Sequence, residues 1–178
     1  MKQNPNTTRK LAMAALVGAV YAALTLVLAP ISFGAVQFRV SEALCILPFF
    51  FPFTAQGLFL GCVLANLYTG NVFDIVFGSL ATLLAALCTA AIGRRGRSML
   101  SCVMACLMPV LFNAFIVGAV LTWAYDVRMV RDSAILSYAA NAGCVGLGEL
   151  VVLFVLGLPL MRWLPTQKSF RDQMNKFA

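Results

Sequence analysis

Leu11 to Ala29 reads LAMAALVGAVYAALTLVLA, an uninterrupted apolar run close to the roughly 20 residues of helix that cross a bilayer core. Arg9 and Lys10 stand before it, as basic residues stand before a secretory signal. The run is longer than a typical signal core, and many further apolar segments follow it, so it is a retained first membrane helix. The rest of the chain agrees: of 178 residues 62% are hydrophobic and 11% charged, and the mean hydropathy is +0.92. No polar block is long enough for a soluble domain, which predicts an all-α integral membrane protein made of one compact domain.

Dividing the chain at Pro, Gly and charged residues gives six helices, near Leu11 to Ala29, Ser41 to Phe51, Thr54 to Tyr68, Asp74 to Ile92, Ser101 to Trp123 and Ala134 to Leu160. The second and third are short and are punctuated by Pro48 and Pro52, so they read as a broken or tilted pair rather than two ideal spans. Short tails, about residues 1–10 and 164–178, flank the bundle.

The basic residues set the orientation. Lys2, Arg9 and Lys10 precede the first helix, Arg94, Arg95 and Arg97 join the fourth to the fifth, and Arg162, Lys168, Arg171 and Lys176 follow the sixth. Six crossings put all of these on one side and leave Arg39, Arg128 and Arg131 on the other, so both termini are expected in the cytoplasm. The net charge of +7 therefore follows from topology. A basic surface with interleaved stacking aromatics is absent, and no nucleic-acid partner is expected.

With that topology, the outer ends of the helices gather Arg39 and Glu42, Asn66 and Tyr68, Asp74, Trp123 and Tyr125, and Tyr138 and Asn141, while Asn113 and Glu149 lie deeper in the fifth and sixth helices. Charged groups at membrane depth are costly unless they line a shared wet cavity, so this set predicts a solute pocket opening outward. Each residue also has a structural reading. Asp74 suits a helix cap, Ser41 and Glu42 suit another with Arg39 paired to Glu42, and Asn66 and Asn141 suit interhelical hydrogen bonding. Glu149, a mid-membrane carboxylate with no basic neighbour in its helix, needs a proton, a partner or a ligand. Pro109 frees the carbonyl of Ala105 and invites a kink one turn before Asn113.

Helix one carries two small-residue stripes at four-residue spacing, Ala14, Gly18 and Ala22 beside Ala15, Ala19 and Ala23. Such smooth faces allow close helix approach, within the chain or with a partner. Histidine is absent, which removes His-based acid and base catalysis, His-ligated metals and haem. The cysteines Cys45, Cys62, Cys88, Cys102, Cys106 and Cys144 form no CxxC pair and read as buried thiols. There is no phosphate loop of the GxxxxGK[ST] type, so ATP cannot drive this chain alone.

The run QFRVSEALCILPFFFP (37–52), followed by GLFLGCVLANLYTG (57–70) and FDIVFGSLATLLAA (73–86), resembles the substrate-binding S components of energy-coupling factor transporters, and within them the QueT-type family. The resemblance implies a six-helix subunit that binds a queuosine precursor, a 7-deazaguanine base such as 7-aminomethyl-7-deazaguanine or queuine. It implies docking on an EcfT-like transmembrane coupling protein driven by two cytoplasmic ATPases, in a bacterial cytoplasmic membrane, with no cofactor and no catalysis by the chain itself. By the same resemblance a small-residue stripe of helix one meets the coupling protein.

Deazaguanine chemistry suits the polar set, because its adjacent N–H and amino group can donate together to one carboxylate and its aminomethyl group is a cation. Glu149 or Glu42 is the candidate for the base edge, Asp74 or the other glutamate for the cation, and Asn66, Asn113 and Asn141 for the remaining donors and acceptors. The alternatives are an S component for riboflavin, thiamin or folate, and an autonomous proton-coupled carrier using Glu149. An intramembrane enzyme lacks a nucleophile or metal motif.

Overall fold

The computed structural model describes residues 5–33, 36–131 and 133–177; Lys2 lies outside them. All of the regular structure among these residues is helical. The chain runs through α1 (Pro5–Val27), a single turn α2 (Ala29–Ser32), a 3₁₀ helix (Val40–Phe49), α3 (Thr54–Asn66), a π turn (Asp74–Gly78) leading into α4 (Ser79–Arg95), then α5 (Met99–Trp123) and α6 (Ala134–Val152). A second π turn (Leu153–Gly157), α7 (Leu158–Trp163) and α8 (Lys168–Phe177) follow.

Four helical stretches are long and apolar enough to cross a membrane: Thr7–Val27, Asp74–Arg95, Met99–Trp123 and Ala134–Thr166. The six expected segments are all helical, with two departures. The second is a 3₁₀ helix of ten residues, where an α-helix was expected. Pro48 inside it has no N–H to give an α ladder, and the 3₁₀ rise of about 2.0 Å per residue draws the segment out to about 20 Å. Most of it is buried, with Ser41, Glu42, Ala43, Cys45, Ile46, Pro48 and Phe49 all out of reach of solvent. The second departure is the expected tail, in which α8 folds as an amphipathic helix. Its Phe170, Met174 and Phe177 pack on the cluster of Ile46, Phe49, Phe50, Phe51, Cys106 and Met161, and the Phe170 ring lies 5.2 Å from Phe50 and 5.3 Å from Phe51.

The basic residues gather at this same end. Lys10 lies over the Phe53 ring and Arg97 over Phe50, each at 5.8 Å. The opposite end carries the Phe33 turn, Tyr68, Asp74 and the segment after Trp123.

Helix one separates its two stripes. Ala14, Gly18 and Ala22 face inward with Val17, Tyr21 and Thr25, whereas Ala15, Ala19 and Ala23 are exposed. The inner stripe meets α3 backbone to backbone: a β-carbon on Gly18 would strike the Gly57 carbonyl, and one on Gly61 the Gly18 carbonyl. Glycine at these positions is what permits the approach.

In α5, the Ala105 carbonyl freed by Pro109 accepts a hydrogen bond from Thr89 Oγ1 of α4 at 3.2 Å. A neighbouring hydroxyl thus replaces the missing backbone donor. Thr89→Val should leave that buried carbonyl unpaired and cost about 1–3 kcal/mol, read as a lower thermal midpoint in detergent with unchanged ligand affinity.

Candidate solute pocket

A cavity of about 570 Å³ opens at the end away from the basic residues, lined by Phe33, Gln37, Tyr68, Thr69, Asp74, Leu121, Tyr125, Val127, Met129 and Asn141. Of the expected residues, Tyr68, Asp74 and Asn141 line it directly. Arg39, Glu42, Asn66, Asn113 and Glu149 are fully buried inside the bundle and do not form part of the lining. Tyr138 stands apart, with its ring 5.2 Å from Trp123 and its hydroxyl 3.4 Å from the Phe115 carbonyl.

The local backbone explains how these side chains come inward. Asn71 Oδ1 accepts the Phe73 N–H at 2.9 Å, so Asn71 caps the helix start and the Asp74 side chain is free to line the cavity. Asp74 opens the first π turn, a widening of the helix that recurs at functional positions, and Glu149 lies one turn before the second. Gly148 lets the 37–39 segment run against α6, since a β-carbon there would strike the Gln37 carbonyl. Gly148→Ala should therefore push this segment off α6, lowering stability by about 1–3 kcal/mol and ligand affinity about tenfold; thermal melts and ligand titration check both.

Glu42 is held in place by three donors. The Tyr21 hydroxyl and Thr82 Oγ1 (3.3 Å) meet Oε1, and Cys45 Sγ lies 2.9 Å from Oε2. Ser41 is tied to Thr25 at 2.6 Å, so neither residue caps the 3₁₀ helix. Arg39 forms no ion pair with Glu42. Its Cζ lies 5.2 Å from the Phe33 ring centre, Nε reaches the Ser32 carbonyl at 3.5 Å, and Phe33 in turn stacks on Tyr68 at 5.8 Å.

The asparagines both join helices and keep capacity for a ligand. Asn141 Nδ2 donates to Thr122 Oγ1 and to the Val127 carbonyl, each at 2.9 Å, and Asn66 Nδ2 donates to the Asp74 carbonyl at 3.1 Å. Asn113 Nδ2 donates to Glu149 Oε1 at 3.0 Å. Their carbonyl oxygens have no protein partner. Seven buried side-chain nitrogen or oxygen atoms lack a partner among the described residues, and five belong to Arg39 (Nη2), Asn66, Asn113, Asn141 (Oδ1 of each) and Glu149 (Oε2). Buried polar groups are almost always paired, so these five residues are the candidates for contact with a polar molecule. Arg39 also lies within Coulombic range of Glu42, Asp74 and Glu149, one guanidinium among three carboxylates.

Tyr125, expected among the outer polar set, also lines it, and Gln37, Phe33, Thr69, Leu121, Val127 and Met129 complete the lining without having been assigned to the pocket. Most sit in turns, where hydrophobic periodicity carries no signal. Tyr21 and Thr82, which hold Glu42, were detectable as polar exceptions on inward helical faces.

The bundle thus has stretches apolar enough to cross a membrane, a polar-walled cavity at one end and buried polar atoms without protein partners, and comparison with known families places it. The family model for the QueT transporter matches residues 11–166. The chain belongs to the QueT transporter family. It is similar to the queuosine precursor transporter QueT of Lactococcus lactis subsp. cremoris (strain MG1363), 38% identical over 71 residues, a stretch that makes up 39% of this chain and 42% of that relative. The aligned stretch thus spans less than half of that relative's length. No solved structure matches the chain.

Proposed function

We propose that this chain is the solute-binding S component of an energy-coupling factor importer and that it captures a queuosine precursor of the 7-deazaguanine class. The observation that carries this reading is the set of unpartnered buried atoms on Arg39, Asn66, Asn113, Asn141 and Glu149, of which Asn141 stands on the wall of an aromatic-lined cavity beside Asp74. Family membership and the printed function of the Lactococcus relative supply the solute class.

In this reading Phe33, Tyr68 and Tyr125 flank a planar base. Glu149 Oε2 accepts the base N–H and amino group, Arg39 Nη2 donates to the ring carbonyl, and the asparagine carbonyls take the remaining donors. Asp74 at the cavity wall faces an aminomethyl cation, and the carboxylate excess favours that cation. Glu42, with its acceptors already engaged, organises the wall rather than reading the base.

The reading makes residues 1–178 one six-span domain, with the 3₁₀ helix and α3 counted as the two short spans. It places the basic end and both termini in the cytoplasm, in a bacterial cytoplasmic membrane, and opens the cavity outward. The exposed stripe Ala15, Ala19 and Ala23 is the docking face for an EcfT-like coupling protein, because Ala14, Gly18 and Ala22 are occupied by α3. Two ATPases bound to that protein supply the energy.

Reconstitution in vesicles tests the energy source. Uptake of a deazaguanine should require the coupling protein, both ATPases and ATP, and should persist when the proton gradient is collapsed. Uptake by the chain alone that stops when the gradient is collapsed would instead identify a proton-coupled carrier using Glu149.

A further inference from the structure

A second cavity, of about 210 Å³, lies at the basic end, far from the solute pocket, and is lined by Phe49, Phe50, Arg97, Cys102, Met161, Arg162 and Pro165. We infer that it is a binding site for the headgroup of an anionic phospholipid, with Arg97 and Arg162 as its phosphate ligands.

Two guanidiniums converge on one small space with no carboxylate in its lining. Among the described residues the ion pair present is Arg128 with Asp126, at the other end, and the acidic residue on the basic side is Asp172 of α8. Arg97 is steadied over the Phe50 ring and Arg162 Nη1 by the weak acceptor Met99 Sδ at 3.4 Å. Both are thus positioned while their strong donors stay unspent, and paired guanidiniums are the natural partners of a phosphate.

The surroundings favour a lipid over a soluble anion. Phe49, Phe50, Cys102 and Met161 give the cavity an apolar floor, which inorganic phosphate would leave bare. Beside the arginines, Met99, Leu100 and Trp163 are well exposed, and an exposed Trp next to an Arg at a helix end marks the headgroup level of a bilayer. An amphiphile with an anionic head and apolar chains meets both halves of the site, as in basic pockets between membrane helices that hold anionic lipids.

Native mass spectrometry of the purified full chain, titrated with phosphatidylglycerol and with phosphatidylcholine of the same acyl chains, tests this. Phosphatidylglycerol should bind preferentially, and the preference should fall about fivefold for each arginine removed in R97Q and R162Q and nearly vanish in the double variant. R94Q/R95Q, which removes equal charge from the same end outside the cavity, should keep it. Cys102→Phe, which fills the floor and changes no charge, should also weaken it and decides the matter if the arginine variants do not fold. An unchanged preference in R97Q/R162Q, or equal loss in R94Q/R95Q, would overturn the site. Displacement of the lipid by millimolar inorganic phosphate would assign a soluble anion and overturn the lipid.

Discussion

Glu149→Gln is expected to weaken deazaguanine binding by about 10- to 100-fold, equivalent to losing one charge-assisted hydrogen-bonded contact of about 1.5–3 kcal/mol, while the protein stays folded. The substitution keeps the shape and leaves an oxygen to accept from Asn113 Nδ2, whose contact with Glu149 Oε1 is 3.0 Å. It removes the negative charge at Oε2, the oxygen that has no protein partner. Glu42→Gln is the informative contrast. Its two oxygens serve Tyr21, Thr82 and Cys45, so replacing one with an amide sets donor against donor inside the bundle. That variant should lose thermal stability first and affinity only as a consequence. Titration and melting of both variants separate the two roles, and equal loss of affinity with equal loss of stability in both would contradict the division.

Ala19→Trp is expected to reduce uptake by the assembled transporter to background, about 100-fold or more if the lost packing costs about 3 kcal/mol, with deazaguanine binding by the isolated chain unchanged. Ala19 is exposed in the middle of the outer stripe, where a smooth surface lets another helix approach closely. The same change at Gly18 should behave differently, since that position faces the Gly57 backbone and a side chain there would disrupt the fold itself. Uptake in vesicles and copurification of the coupling protein read the first effect; folded yield reads the second. Normal uptake by Ala19→Trp would remove helix one from the docking face.

The sequence was legible where periodicity and cost speak plainly. Apolar runs located the six main helical segments between Leu11 and Leu160, and the expense of polar atoms in an apolar bundle singled out Arg39, Asn66, Asn113, Asn141 and Glu149, the residues that hold five of the seven unpartnered buried atoms among the described residues. Pro109 announced a freed carbonyl, though not that Thr89 would take it up. Less was legible where geometry departs from the ideal helix. Nothing in VSEALCILPF distinguishes a ten-residue 3₁₀ helix from an α-helix interrupted by proline, because both bury the same apolar side chains. The two stripes of helix one could be seen but not sorted, since choosing between them requires knowing that Gly57 and Gly61 stand opposite one of them. Phe33, Thr69 and Met129 reach the cavity from turns, whose path depends on tertiary contacts. Phe170, Met174 and Phe177 have helical spacing in a polar segment, and their partner surface, Phe50 to Phe53, is distant in the chain.

We propose that the leftover hydrogen-bonding capacity of Arg39 and Glu149 holds a deazaguanine. Titrating the purified chain with 7-aminomethyl-7-deazaguanine by calorimetry, beside riboflavin, thiamin and folate, measures this directly. Saturable one-to-one binding of the deazaguanine alone is expected, lost or sharply weakened in Glu149→Gln; no binding of the deazaguanine together with clear binding of one of the vitamins would contradict the proposal.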